Sequence, residues 1–335
     1  MRGTDFTLLW IQAGSCGGCA ASAGLIEDVG LTDWLRRFGI SLLWHPSLSR
    51  ENGAEALRIF DTVLDGSVRL DCLVVEGAML RGPGGSGKAQ MLAGSSRPVA
   101  AMIADLAAVS RYTVAVGSCA AFGGFPTADV NPTDGTGLQW LATDPGGLLG
   151  EGYLSAAGLP VINVAGCAPH PGWIAETLAA LAIGGLSADE LDEFRRPRFF
   201  ADHLAHHGCS RNEFYEFKAA AETPSERGCL MENLGCKATQ APGDCNVRRW
   251  NGLGSCTDGG FACVACTSPG FEHKEVPFLE TAKVAGIPDG LPDDMPKAWY
   301  VALAALSRSA MPTRVRRNAR ADNVLVPPSG HGPKS

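Results

Sequence analysis

Cys16, Cys19, Cys119 and Cys167 each follow a short apolar run, and each stands beside glycine or another small residue. Four thiolates converging from such loops make the ligand set of one 4Fe-4S cluster. Small neighbours let the backbone come close and direct N–H groups at the inorganic sulfur, which stabilises the reduced form. Taken singly, Cys119 and Cys167 read equally well as buried small hydrophobes, and Cys16 with Cys19 as a redox pair. Taken together, their four positions favour one metal centre.

A second set is His206, Cys209, Cys229 and Cys236. A histidine three residues before a cysteine shares a ligand face with it, and imidazole in place of thiolate makes a cluster less negative and raises its potential, as an electron exit requires. His207 competes with His206 for that role, and His203 is a further neighbour. The third set is Cys245, Cys256, Cys263 and Cys266, with Trp250, Phe261 and Phe271 interleaved to keep water away. A zinc ribbon is the rival there, but Cys245 and Cys256 stand eleven residues apart and form no CxxC knuckle. The three sets use eleven of the twelve cysteines. Cys72, inside an apolar strand pattern, reads as core.

Two further features carry less. Gly82-Pro83-Gly84-Gly85-Ser86-Gly87-Lys88 approaches a phosphate-binding loop, but Ala89 stands where a hydroxyl should hold magnesium, so a Pro-Gly turn is the reading. Glu76 lies near the first cysteine set, where it either assists proton movement or caps a helix; the structural role is the expectation.

These residues need elements to position them. The apolar runs Thr7–Gln12, Ser41–Trp44, Leu70–Val75, Thr113–Val116 and Pro160–Val164 predict buried parallel strands, and Val99–Val109 and Trp173–Ile183 carry helical spacing. Their alternation predicts an α/β, doubly wound parallel sheet, in which ligands gather at the carboxyl ends of the strands. After about Ser187 the strand pattern stops and polar, glycine-rich sequence dominates. The expected division is therefore residues 1–186 and 187–335, the second an irregular, mostly helical and loop domain that depends on metal for its shape.

A net charge of −7 without a dominant basic block argues against nucleic-acid binding. Arg314, Arg316, Arg317 and Arg320 are expected on a solvated face or a docking tail. No apolar run has the length of a membrane span, and Arg36-Arg37 precede a strand pattern rather than an export signal, so no membrane crossing and a cytoplasmic location are expected.

The motifs together resemble the small subunits of nickel-iron hydrogenases along nearly the whole chain. The matching segments are Cys16-Gly17-Gly18-Cys19, Val75-Glu76-Gly77, Gly117-Ser118-Cys119-Ala120, Gly166-Cys167-Ala168-Pro169, His206 with Cys209, Gly235-Cys236-Lys237, Asp244-Cys245 with Trp250-Asn251, and Cys263-Val264-Ala265-Cys266. The resemblance implies a flavodoxin-like first domain and three clusters. Proximal ligands would be Cys16, Cys19, Cys119 and Cys167, medial ones Cys245, Cys256, Cys263 and Cys266, and distal ones His206, Cys209, Cys229 and Cys236. Many members have proline where Cys256 falls and carry a medial 3Fe-4S cluster, so a cysteine here implies a third 4Fe-4S cluster, with a medial 3Fe-4S cluster as the less favoured variant. Gly18 and Gly124 stand where oxygen-tolerant membrane-bound members add cysteines, so the six-cysteine proximal cluster is not expected.

Trp44-His45-Pro46-Ser47-Leu48-Ser49 and Asn131-Pro132-Thr133-Asp134, with the lack of a leader or anchor helix, look most like the soluble actinobacterial-type uptake enzymes, some of which have aspartate where Cys19 stands. The resemblance further implies a large-subunit partner that alone carries the nickel-iron centre, an external electron acceptor, and a dimer of heterodimers or a higher assembly. The competing functional readings are the small subunit of a hydrogen-sensing enzyme and a stand-alone multi-cluster electron carrier.

Overall fold

The computed structural model describes residues 5–26, 29–273, 278–288, 291 and 296–322. The chain forms two compact units, Met1–Asp202 with Cys266–Val276, and His203–Ala265 with Pro277–Ser335.

In the first unit five parallel strands make one sheet: β1 (Phe6–Gln12), β2 (Ile40–Trp44), β3 (Cys72–Glu76), β4 (Tyr112–Val116) and β5 (Ile162–Val164), in the order β2-β1-β3-β4-β5. This is the flavodoxin-like order of a doubly wound sheet. All five residues of β3 and of β4 are buried, as continuous apolar runs covered on both faces must be. Cys72 is fully buried in β3, in the core position its sequence context predicts.

Helices cover the sheet. They are α1 (Gly18–Ala23), α2 (Leu31–Arg37), α3 (Ala54–Leu64), α4 (Val99–Val109), α5 (Ser118–Phe122) and α6 (Pro171–Ile183). Phe60 and Val63 of α3 join Met102, Ile103 and Leu106 of α4 in one core cluster with Leu9, Leu73 and Val75 of the sheet. Pro171 opens α6 at a position where no N–H is needed, and the Nδ1 of His170 accepts the N–H of Gly172 at 3.0 Å. Gly184 ends α6 in the left-handed conformation at φ +72°.

The first unit reaches past residue 186 because the next stretch completes its packing. The Asn163 backbone N–H donates to the Arg195 carbonyl at 2.9 Å, and its side-chain amide to the Phe194 carbonyl at 2.8 Å. Phe200 of α7 (Arg198–Ala201) stacks on Trp173 with ring centroids 4.4 Å apart. The segment from Cys266 rejoins this unit, where Arg196 donates to the Thr267 carbonyl at 2.9 Å and Phe271 meets Phe125 edge to face at 5.4 Å.

The second unit has little regular structure: α8 (Asn212–Glu216), α9 (Lys297–Ser309), α10 (Thr313–Ala319) and a two-residue strand pair, Lys283–Val284 with Ile287–Pro288. Its apolar clusters are small, one being Ala205, Ala238, Ala241 and Ala265. Among the described residues, no helix is long and apolar enough to cross a membrane.

The remaining sequence features fall into place. Arg36 and Arg37 end α2 on the surface, with Arg36 bonded to Asp33 at 2.7 Å. Arg314 pairs with Glu213, Arg320 with Glu222 and Glu226, and Arg316 and Arg317 are exposed. The Gly82–Lys88 loop closes on itself: the N–H groups of Ser86, Gly87 and Ala89 are bonded to the carbonyls of Pro83, Arg81 and Gly82. Those N–H groups are thus committed, and a phosphate cradle would need them free.

Candidate metal centres

All four cysteines of the first set lie just beyond the carboxyl ends of the sheet strands. Cys16 follows β1, where Gly17 turns the chain at φ +80° into α1, and Cys19 sits in the first turn of that helix. Cys119 lies in α5 directly after β4, and Cys167 follows β5. The two latter loops are stitched together. The Gly117 N–H donates to the Val164 carbonyl at 2.9 Å, the Ser118 N–H to the Gly166 carbonyl at 3.0 Å, and the Gly166 N–H to the Ser118 Oγ at 2.9 Å. Ser118 Oγ also donates to the carbonyl of Cys266.

Glycine makes the approach possible at two points. A Cβ on Gly117, at φ +91°, would overlap the Sγ of Cys19; one on Gly124, at φ +57°, would lie 2.8 Å from the Sγ of Cys119.

Glu76, at the end of β3 and fully buried, binds the loop of Cys16 and Cys19 from below. Its Oε1 accepts from the Ser15 hydroxyl at 2.7 Å and the Cys19 N–H at 3.2 Å. Its Oε2 accepts from the Ala20 N–H at 3.1 Å and from the Trp10 and Gln12 side chains at 3.2 Å each. The carboxylate thus ties β1, β3 and the start of α1 together, which is the structural role expected of it.

Among the described residues no cysteine is paired in a disulfide. Burial pushes Cys19 far up, with further upward pushes from Glu76, Cys119, Cys16 and Cys167. Cys119 is pushed up to about 12, chiefly by burial and then by Cys167. Burial likewise raises Cys167, ahead of Cys16 and Glu272. Thiols whose ionisation is opposed by burial and by neighbouring sulfurs, as it is at Cys19, Cys119 and Cys167, need a cationic centre to become thiolates together, and an iron-sulfur core would supply that charge. Among the described residues no three His, Cys, Asp or Glu side chains are arranged to hold a single metal ion. A cubane binds each thiolate to a separate iron, so its ligands stand around a cluster instead of around one ion.

The second set lies wholly in the second unit. His206, Cys209, Cys229 and Cys236 line one small cavity, with Arg211, Tyr215 and Thr257. His206, not His207, faces this space; His207 Nδ1 instead accepts the Leu204 N–H at 3.3 Å. Burial lowers the His206 pKa, which keeps a lone pair free on the ring, and Tyr215 meets that ring edge to face at 4.5 Å. Burial pushes Cys229 up to about 12 and raises Cys236 as well. The Cys209 thiol lies 3.6 Å from the Thr257 hydroxyl, which in turn donates to Asn246 Oδ1 at 2.9 Å. Sequence reasoning missed Arg211, Thr257 and Asn246; an arginine two residues after Cys209 is the one signal that stood in plain view.

The third set is divided. Cys245, Cys256 and Cys263 belong to the second unit, and Cys266 opens the segment that belongs to the first. Cys245 and Cys263 pack with Cys236 on the same alanine cluster, and the Cys263 N–H donates to the Cys236 sulfur at 3.4 Å. Burial raises the Cys256 thiol.

Residues 16–181 match the family model for the 20 kDa subunit of NADH ubiquinone oxidoreductase, and residues 201–279 match the C-terminal model of NiFe/NiFeSe hydrogenase small subunits. The F420 non-reducing hydrogenase II small subunit of Methanosarcina mazei is 31% identical over 94% of this chain and 85% of its own. This chain belongs to the nickel-iron hydrogenase small subunits. A further member, the periplasmic NiFeSe hydrogenase small subunit of Desulfomicrobium baculatum, is 31% identical over 81% of this chain and 86% of its own.

Solved structures agree. The actinobacterial-type NiFe-hydrogenase from Ralstonia eutropha superposes with a TM-score of 0.74 at 27% identity, over 92% of each chain. The reduced NiFeSe hydrogenase from D. baculatum superposes with a TM-score of 0.71 at 30% identity, over 83% of this chain and 99% of that one. A nickel-iron hydrogenase small subunit is the electron-transfer partner of a catalytic large subunit and carries iron-sulfur clusters.

Proposed function

We propose that this small subunit conducts electrons from hydrogen oxidation in its large subunit through three 4Fe-4S clusters to an external acceptor. Bound clusters would supply a series of one-electron couples; the chain's own residues hold, space and insulate them. Cys16, Cys19, Cys119 and Cys167 would hold the proximal cluster. Cys16 and Cys167 are exposed and Cys19 and Cys119 half-buried, which suits a centre that lies against a partner subunit. Glu76 fixes the first of these loops, and Ser118 fixes the other two to each other.

Cys245, Cys256, Cys263 and Cys266 would hold the medial cluster, a grouping that rests on sequence spacing. The thiol of Cys256 supplies the fourth ligand that a 3Fe-4S site lacks. His206, Cys209, Cys229 and Cys236 would hold the distal cluster, and the contact of Cys263 with Cys236 would set the medial and distal ligands side by side. A dimer of such heterodimers, or a higher assembly, is expected.

The observation that carries the proposal is the proximal cage: four cysteines from three strand ends, the ionisation of Cys19, Cys119 and Cys167 opposed by burial and by their neighbours, around glycines that leave no room for a Cβ. Its test is Cys119→Ser in the heterodimer. Hydrogen-dependent dye reduction should fall by at least about a hundredfold, on the order of what removal of one essential group costs, while nickel stays in the large subunit. Unimpaired dye reduction would refute the route.

A further inference from the structure

Arg211 is 5% exposed, yet among the described residues its guanidinium has no carboxylate within ion-pair distance. Its Nε–H donates to the Thr257 carbonyl at 2.9 Å, and its Nη1 donates to the carbonyls of Glu226 and Gly228 at 2.8 and 2.6 Å. Neutral carbonyls solvate a guanidinium but do not cancel its charge, and a buried cation without a counter-charge is costly. The cavity it lines holds Cys209, Cys229 and Cys236, which as cluster-bound thiolates would be the negative groups nearest to it. Asp258 does not line that cavity and pairs with Arg249 at 3.3 Å. The Arg211 backbone N–H also points at the cavity's thiols, donating to the Cys209 sulfur at 3.5 Å.

We infer that Arg211 is the fixed counter-charge of the distal site, holding an electron there at a more positive potential than the ligands alone would give. The inference rests on the reading of His206, Cys209, Cys229 and Cys236 as cluster ligands. Each electron that arrives adds one negative charge to a centre already bearing three thiolates, and a permanently protonated arginine beside it favours that reduced form. Lys218 is a second cation on this side, its ammonium 3.7 Å over the Tyr215 ring, whose edge-to-face partner is His206. A guanidinium also suits the position because its planar fork spans the carbonyls of Thr257, Glu226 and Gly228 at once. Arg211 is thus a positioning residue that acts on transfer through electrostatics, without touching the acceptor.

The test is a potentiometric titration of the purified heterodimer followed by electron paramagnetic resonance, with iron and sulfide counted on the same samples. Three variants are compared with the wild type: Arg211→Met and Arg211→Gln, which remove the charge, and Arg211→Lys, which keeps it. The neutral variants should retain the distal signal with a midpoint more negative by at least about 59 mV, the equivalent of a tenfold change in a one-electron equilibrium. Arg211→Lys should shift by less than that. If the neutral variants lose the distal cluster while Arg211→Lys keeps it near the wild-type potential, the counter-charge role also stands. An unchanged potential in the neutral variants overturns the inference, as does Arg211→Lys failing in the same way as they do, because Arg211 is then only a staple between loops. A wild-type heterodimer whose iron count leaves no cluster at this site removes the underlying reading instead, and the two failures are told apart by that count.

Discussion

Glu76 gathers five donors on one buried carboxylate, and the position of Cys19 depends on it. Glu76→Ala should therefore cost about 3 kcal/mol or more in stability, because several buried donors lose their acceptor together; chemical denaturation of the heterodimer measures this. Gly117→Ala places a methyl group on the Cys19 sulfur at a φ that disfavours any side chain, and should remove about four irons per chain, one cubane's worth.

His45 offers a pH-dependent check. It is buried, its Nε2 has no partner among the described residues, and burial lowers its pKa against an opposing pull from Glu76. With the folded pKa depressed, the stability His45 contributes is complete above its unfolded pKa of about 6.5 and is lost as pH falls through the folded value. His45→Gln should flatten the fall in unfolding free energy below about pH 6.5, read as the difference between the two denaturation series, which leaves out the similarly shifted His206. At this scale the sequence was informative about ligand types, since thiolate spacing is visible in one dimension. It was silent on Arg211 and Thr257, whose roles exist only once separate loops meet.

Among the elements, the strands were the most legible. Each apolar run predicted the matching strand to within two residues at either end, and Val99–Val109 is a helix over that same range. Fully buried parallel strands leave unbroken apolar runs, so β3 and β4 announce themselves, whereas α1 and α5 are six and five residues long and too short to show a period. The segment from Cys266 to Val276 joins the first unit through Arg196 and Phe125, long-range contacts that no local pattern encodes. Leu106 of α4 is fully buried and Val109 is 45% exposed. Leu106→Ala should cost about 2–5 kcal/mol, and Val109→Ala less than about 0.5 kcal/mol, with cluster potentials unchanged in both; thermal and denaturant unfolding with a redox titration check this.

At the scale of the whole molecule the two units are held in different ways. The first has a continuous sheet-and-helix core, while the second rests on small clusters such as Ala205, Ala238, Ala241 and Ala265 around its cysteines. Removal of iron should therefore release the second unit first: hydrogen exchange after chelation should lose protection across residues 203–265 while β1, β3 and β4 keep theirs. The most direct measurement is the metal and acid-labile sulfide content of the purified heterodimer. About twelve irons and twelve sulfides per small subunit, with nickel confined to the large subunit, are expected from three cubanes. Zinc at these cysteines, or thiols that remain free to alkylation in the native complex, would contradict it.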